Sequence, residues 1–117
     1  MTDFDLAIRN ARVATAADVF NCDIGVKDGV IAALANSLPK ARQEIDAAGR
    51  WVLPGGVDSH CHLDQPMPAG MKMADDFESG TLSAACGGTT TVIPFAAQAK
   101  GGSLQAAVDD YHRRAAG

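Results

Sequence analysis

The pattern of hydrophobic residues changes at Pro54, and this change is the strongest constraint on the fold. Before it, short apolar runs alternate with turn signals, which is typical of β-strands. After it, the order strand, loop, helix occurs twice, which is the repeat of an α/β barrel or a doubly wound sheet. We therefore predict an α/β chain with two parts: a β-sandwich portion at residues 1–53 and the start of a βα repeat at residues 54–117.

A β-hairpin is the clearest local signal in the first part. Asp28 and Gly29 tolerate the positive φ angles of a tight hairpin turn, and they separate two runs rich in β-branched residues. The paired strands are predicted at residues 23–27 and 30–34. Further strands are predicted at residues 6–9, 43–46 and 50–53.

Two helices are predicted in the second part. The first is capped by Asp75 or Asp76 and ends at Gly87-Gly88, and the second begins at Ser103, where apolar residues recur at helical spacing. The strands that precede these helices are predicted at residues 57–63 and 89–95.

Charge and cysteine usage narrow the classes of partner and compartment. The net charge of −4 is spread without a Lys/Arg cluster, which disfavours nucleic acids and membranes as partners and favours small neutral ligands. Cys22, Cys61 and Cys86 are odd in number and lack CxxC spacing, which indicates reduced thiols. No leader-like or membrane-spanning segment is evident, so we expect a cytoplasmic protein.

Two histidines stand at the end of the strand after Pro54. Residues i and i+2 of a strand point to the same face, so His60 and His62 can direct their imidazoles at one divalent metal ion while Cys61 points away. A catalytic centre needs further ligands and a position open to water. The only other histidine, His112, lies in a predicted helix and is expected to be a surface or packing residue.

An ordered set of motifs resembles the dihydropyrimidinase and hydantoinase family of cyclic amidohydrolases. It comprises PGGVDSHCHLD at residues 54–64, ADDF at 74–77, GT at 80–81 and GGTTT at 87–91. The resemblance implies a metal-dependent hydrolase on a TIM-like (β/α)8 barrel, a β-sandwich built from both chain termini, and a centre of two metal ions, expected to be zinc. The family's ligands are two strand histidines, a carboxylated lysine, two later histidines and an aspartate. His60 and His62 are the two that map to this chain, which carries no proton-transfer residue.

The same resemblance assigns roles to the residues around the histidines. Asp58 is expected to orient the ligands or their loop; the alternative is a solvated turn carboxylate. Asp64 stands where dihydroorotases carry an arginine that binds the substrate carboxylate, so it favours an uncharged ring as substrate. Gln65 and Met67 are expected in a loop that gates the exocyclic group of the substrate, with Met67 the more direct contact.

The length of the chain bears on how much of such an enzyme it contains. A complete barrel needs about 250 residues, whereas 55 residues follow His62. We therefore expect the N-terminal fragment of a larger, homo-oligomeric enzyme, inactive by itself. Two alternatives remain: a non-catalytic relative used in protein interaction, as in the collapsin response mediators, and a freestanding metal-binding or structural α/β domain. Retention of both histidines favours the enzyme.

Overall fold

The computed structural model describes residues 4–116. The chain divides into two compact units, one on each side of the bond between Pro54 and Gly55. The first unit contains a single five-stranded sheet. Its strands are β1 (Leu6–Ala14), β2 (Val19–Lys27), β3 (Val30–Ala35), β4 (Gln43–Asp46) and β5 (Trp51–Val52).

β1 is the centre of this sheet, because every other strand except β3 pairs with it. The order is β3-β2-β1-β4, and β5 pairs with β1 beyond the end of β4. β2 runs antiparallel to β1, while β4 and β5 run parallel to it. The predicted strands are confirmed, and within the described residues of this unit they form one sheet; a second layer of the predicted sandwich is not among these residues.

The predicted hairpin is confirmed. β2 ends at Lys27 and β3 begins at Val30, and the two turn residues have positive φ angles of 50° at Asp28 and 76° at Gly29. Two positive φ angles in a two-residue loop match the right-handed twist of the strands on either side. β1 and β2 are longer than predicted, because a bulge at Asn10, whose φ is 53°, lets β1 continue to Ala14.

A charged network links β1, β2 and β4 of the first sheet. Asp23 is buried, and its carboxylate accepts hydrogen bonds from Arg9 Nη1 at 2.8 Å, the Asn10 amide at 3.1 Å and the Leu38 amide at 3.3 Å. Arg9 also donates to Glu44 at 2.6 Å. The hydrogen bond from Arg9, followed by that from Asn10, lowers the pKa of Asp23 below its usual range. The carboxylate therefore stays ionised although it is buried.

The second unit is built from two βα repeats. Its elements are β6 (Gly56–Cys61), α1 (Phe77–Cys86), β7 (Thr89–Pro94) and α2 (Leu104–Ala115). β6 and β7 pair in parallel, as a crossover through a helix requires. The predicted order of strands and helices is confirmed. β6 ends at Cys61, one residue before His62, rather than at residue 63.

Side chains at the helix ends explain where α1 and α2 begin. Asp76 accepts a hydrogen bond from the Ser79 amide at 2.8 Å, and Ser79 Oγ accepts one from the Asp76 amide at 3.1 Å, which forms a reciprocal capping box. Ser103 caps α2 as predicted, through the Ala106 amide. α1 ends at Cys86 with Gly87 as its C-cap, and Gly88 follows with a φ of 89°. No helix within residues 4–116 is long and apolar enough to cross a membrane.

Leu63 connects the histidine strand to the helices of the second unit. It is buried, and an added Cβ at Gly80 of α1 would lie 2.4 Å from its Cδ2 atom. A glycine at this position of α1 therefore lets the helix approach the residue that directly follows His62. Phe77 of α1 packs edge-on against Tyr111 of α2, with ring centres 5.8 Å apart.

Candidate metal centre

The two imidazoles lie together at the C-terminal end of β6. His60 is within the strand and His62 is one residue beyond it; both are exposed, and their ring centres are 5.3 Å apart. Two imidazoles on one tetrahedral zinc ion have ring centres roughly 5 Å apart, because each nitrogen lies about 2 Å from the metal and about 1 Å from its own ring centre. The spacing of the two rings therefore suits one shared ion.

Phe95 packs against both imidazoles. Its ring centre lies 5.4 Å from that of His60, nearly parallel to it, and 5.4 Å from that of His62. The Phe95 amide donates to the Cys61 carbonyl at 2.8 Å, which ties the end of β7 to the end of β6. This contact was not predicted from the sequence. It could have been predicted from parallel pairing of β6 with β7, because that pairing places the residue after β7 beside the histidines at the end of β6.

Gln65 contacts the ring of His62. The side-chain oxygen Oε1 of Gln65 lies within hydrogen-bonding distance of His62 Nδ1. An amide oxygen only accepts hydrogen bonds, so with the Gln65 amide in this orientation Nδ1 is the donor and carries the proton. In the neutral ring, the lone pair is then on Nε2, which is left for a metal ion.

A tight turn at Asp64 brings Gln65 back to His62. Asp64 has a φ of 46°, in the left-handed region that aspartate tolerates better than most residues. Its amide donates to the Asp75 carbonyl at 3.1 Å, and its own carbonyl accepts a hydrogen bond from Arg114 Nη1. The turn is therefore fixed by contacts to the segment before α1 and to α2.

Asp64 and Arg114 belong to a small ionic cluster. Arg114 Nη1 lies 3.4 Å from Asp64 Oδ2, and Arg114 Nε donates to Asp110 at 2.9 Å. The hydrogen bond from Arg114 lowers the pKa of Asp110. A groove of about 670 Å³ beside this cluster is lined by Asp64 and Arg114 but by neither histidine. The i, i+4 spacing of Asp110 and Arg114 predicts a contact between them on a helix. Nothing in the sequence predicts the contact between Arg114 and Asp64, which is 50 residues earlier.

The remaining residues singled out in the sequence differ in their surroundings. Asp58 Oδ1 accepts a hydrogen bond from the His60 amide at 3.1 Å, so its carboxylate contacts the backbone of the strand end. Burial, followed by the charge of Asp58, raises the pKa of the Cys61 thiol, which keeps it protonated. Met67 is 37% exposed. His112 is exposed on α2.

The donor set within residues 4–116 is limited to part of a metal centre. No group of three or more histidine, cysteine, aspartate or glutamate side chains in this range is arranged to hold a metal ion. Two imidazoles with a suitable spacing fit a borderline-soft divalent ion such as zinc, and they leave the other coordination positions open. The described residues therefore fit one side of a metal centre.

Comparisons with known proteins point to one family of enzymes. No family model matches the chain. A D-hydantoinase of Geobacillus stearothermophilus is 45% identical over 111 residues, which cover 94% of this chain and 23% of that protein. A dihydropyrimidinase of Rattus norvegicus is 43% identical over 107 residues, which cover 85% of this chain and 20% of that protein.

Solved structures agree with these sequence matches. The crystal structure of a D-hydantoinase from Bacillus sp. AR9 matches with a TM-score of 0.85 and 41% identity, over 93% of this chain and 24% of that one. The chain thus spans about a quarter of the length of the relatives it matches. By sequence and by fold, it is homologous to the N-terminal portion of the D-hydantoinases and dihydropyrimidinases.

Proposed function

We propose that this chain is the N-terminal part of a metal-dependent hydrolase that opens cyclic amides such as hydantoins and dihydropyrimidines. The observation that carries the proposal is the pair of imidazoles at the end of β6, 5.3 Å apart between ring centres. Relatives that are more than 40% identical are named D-hydantoinase and dihydropyrimidinase, which supports the same reaction class. A purely structural or interaction protein would have no chemical need for both imidazoles.

The two histidines would hold one side of the metal centre. A bound divalent ion would polarise the ring carbonyl and lower the pKa of a water molecule, the chemistry that a cyclic amide needs for hydrolysis. His60 and His62 would supply neutral nitrogen ligands, and Asp58 would hold the strand end through the His60 amide. We infer two zinc ions in the complete centre, with the remaining ligands and the proton-transfer carboxylate supplied from outside residues 4–116.

The pairing of Asp64 bears on the substrate. Its carboxylate lies 3.4 Å from the Arg114 guanidinium, which also donates to Asp110, so Arg114 is already paired with two carboxylates. Such a cluster gives an anionic ring no electrostatic attraction, in contrast to a free arginine at this position. We therefore propose uncharged cyclic amides and imides as substrates. Gln65 and Met67 remain in the loop proposed to lie beside the exocyclic group of the ring.

The proposal extends to the architecture of the complete protein. The parallel strands β6 and β7, each followed by a helix, suit the first two repeats of a TIM-like (β/α)8 barrel, whose active sites form at the C-terminal ends of the strands. Residues 1–53 would form part of a β-sandwich and residues 54–117 the start of the barrel. We also propose a homo-oligomer in a reducing, cytoplasmic environment, where the free thiols of Cys22, Cys61 and Cys86 persist.

The test is hydrolysis by the complete protein, expressed from its whole reading frame and loaded with zinc. Hydantoin and dihydrouracil should be opened, and dihydroorotate should be opened more slowly. A matched variant, Asp64→Arg, should move the preference toward dihydroorotate. Absence of hydrolysis with all three rings would refute the proposed reaction, and faster opening of dihydroorotate by the unchanged protein would refute the proposed substrate class.

A further inference from the structure

We propose that Gln65 is a positioning residue that fixes the tautomer of His62, so that Nε2 is presented to the metal ion. This inference rests on the proposed function for its metal, but the contact itself is independent of any metal. Gln65 Oε1 is an acceptor without a proton, and it lies at His62 Nδ1. With the amide in this orientation, the proton of a neutral ring is on Nδ1, and the lone pair on Nε2 stays free.

Neighbouring residues hold both partners of this contact, Gln65 and the His62 ring, in place. The turn at Asp64 is fixed through its amide to Asp75 and through its carbonyl to Arg114, so the residue after it returns toward the strand end. Phe95 packs against the His62 ring at 5.4 Å and restrains its rotation. Gln65 is half-buried, whereas both histidines are exposed. A free imidazole would otherwise exchange its proton between the two nitrogens.

The chemical consequence is a pre-formed ligand. A metal-binding histidine normally donates its other ring N–H to a carbonyl, carboxylate or water, which fixes the ring and raises the basicity of the ligating nitrogen. Loss of such a partner typically weakens metal binding about 10–100-fold. Gln65 would supply that partner through its amide oxygen, in addition to any role beside the substrate.

The experiment compares Gln65→Met and Gln65→Glu in the complete protein. Methionine keeps the length of the side chain but removes the acceptor, whereas glutamate keeps an acceptor oxygen. Gln105→Met is the matched control, because Gln105 lies on α2 and its amide donates to Asp109. Zinc affinity is measured by competition with a chelator, and the His62 tautomer is measured by 15N NMR on the zinc-free protein at mildly alkaline pH, where imidazoles are neutral.

We expect His62 of the unchanged protein to carry its proton on Nδ1. Gln65→Met should lose this preference and bind zinc about 10–100-fold more weakly, while Gln65→Glu and Gln105→Met should retain both properties. A proton on Nε2 in the unchanged protein would overturn the inference. The inference would also be overturned if Gln65→Met binds zinc as tightly as the unchanged protein while His62→Ala loses its zinc. If His62→Ala keeps its zinc, the proposed metal centre fails, and the NMR result on zinc-free protein still decides the role of Gln65.

Discussion

Gly55, the residue before β6, lies so close to Thr90 of β7 that the structure predicts the size of the effect of a substitution there. A Cβ atom added at Gly55 would lie 2.0 Å from Thr90 Oγ1, 2.4 Å from its Cγ2 and 2.7 Å from its Cβ. Non-bonded carbon atoms prefer separations of about 3.5–4.0 Å. Rotation of the Thr90 side chain does not move its own Cβ, so Gly55→Ala should force the two strands apart by roughly 1 Å.

The expected cost combines two contributions. Overpacking of a fitted contact costs about 1–3 kcal/mol. Separation at this end of the sheet also weakens the 2.8 Å hydrogen bond from the Gly56 amide to the Gly88 carbonyl, a loss of about 1 kcal/mol. Gly55→Ala should therefore lower the free energy of unfolding by about 3 kcal/mol, and it should weaken zinc binding because His60 lies on the displaced strand.

The assay is urea unfolding of the complete protein, followed by circular dichroism. Gly87→Ala is the control, because its added Cβ would meet nothing closer than 3.4 Å and its φ is −84°; it should change the free energy of unfolding by less than about 0.5 kcal/mol. In the double variant with Thr90→Gly the clash is removed, so a coupling of at least about 1 kcal/mol is expected. The reasoning is refuted if Gly55→Ala is as stable as the unchanged protein, or if the two losses simply add.

Two further predictions concern the first sheet and the isolated chain. The lowered pKa of Asp23 means that its ionised form stabilises the fold above the unfolded pKa of about 3.9, and that this contribution is lost as the pH falls through the folded pKa. Asp23→Asn should therefore lose about 2 kcal/mol of unfolding free energy at neutral pH and progressively less below pH 4; a difference that does not change with pH in urea unfolding would contradict this. The isolated 117-residue chain should aggregate or lack fixed tertiary packing, since Val57, Leu82 and Ile93 are each more than half exposed. A monodisperse, cooperatively melting and active chain, observed by size-exclusion chromatography, near-UV circular dichroism and a hydantoin assay, would count against it.

Local chemistry made much of the fold predictable from the sequence. The Asp28-Gly29 hairpin, the Ser103 cap and the order of strands and helices after Pro54 each depend on neighbouring residues, and the structure confirms them. The extension of β1 past the bulge at Asn10 was not predicted, because the bulge is stabilised by Asp23 on the adjacent strand.

The two histidines of the candidate site could be predicted from the sequence, but their surroundings could not. The shared position of His60 and His62 on one face could be predicted because side chains two residues apart in a strand point to the same side. Phe95 and Arg114 were not recognised, because each meets the site through contacts between residues far apart in sequence. Gln65 was predicted to lie beside the substrate, but its contact with His62 depends on the turn at Asp64, which is fixed by α2 and by the segment before α1.

The metal content of the complete protein tests the central claim most directly. His60→Ala and His62→Ala should each bind less zinc than the unchanged protein and lose hydantoin hydrolysis, because each removes one of two imidazoles that converge at the end of β6. His112→Ala, which alters an exposed histidine on α2, should keep both zinc and activity. Elemental analysis that finds undiminished zinc in folded His60→Ala and His62→Ala proteins with full activity would contradict the account.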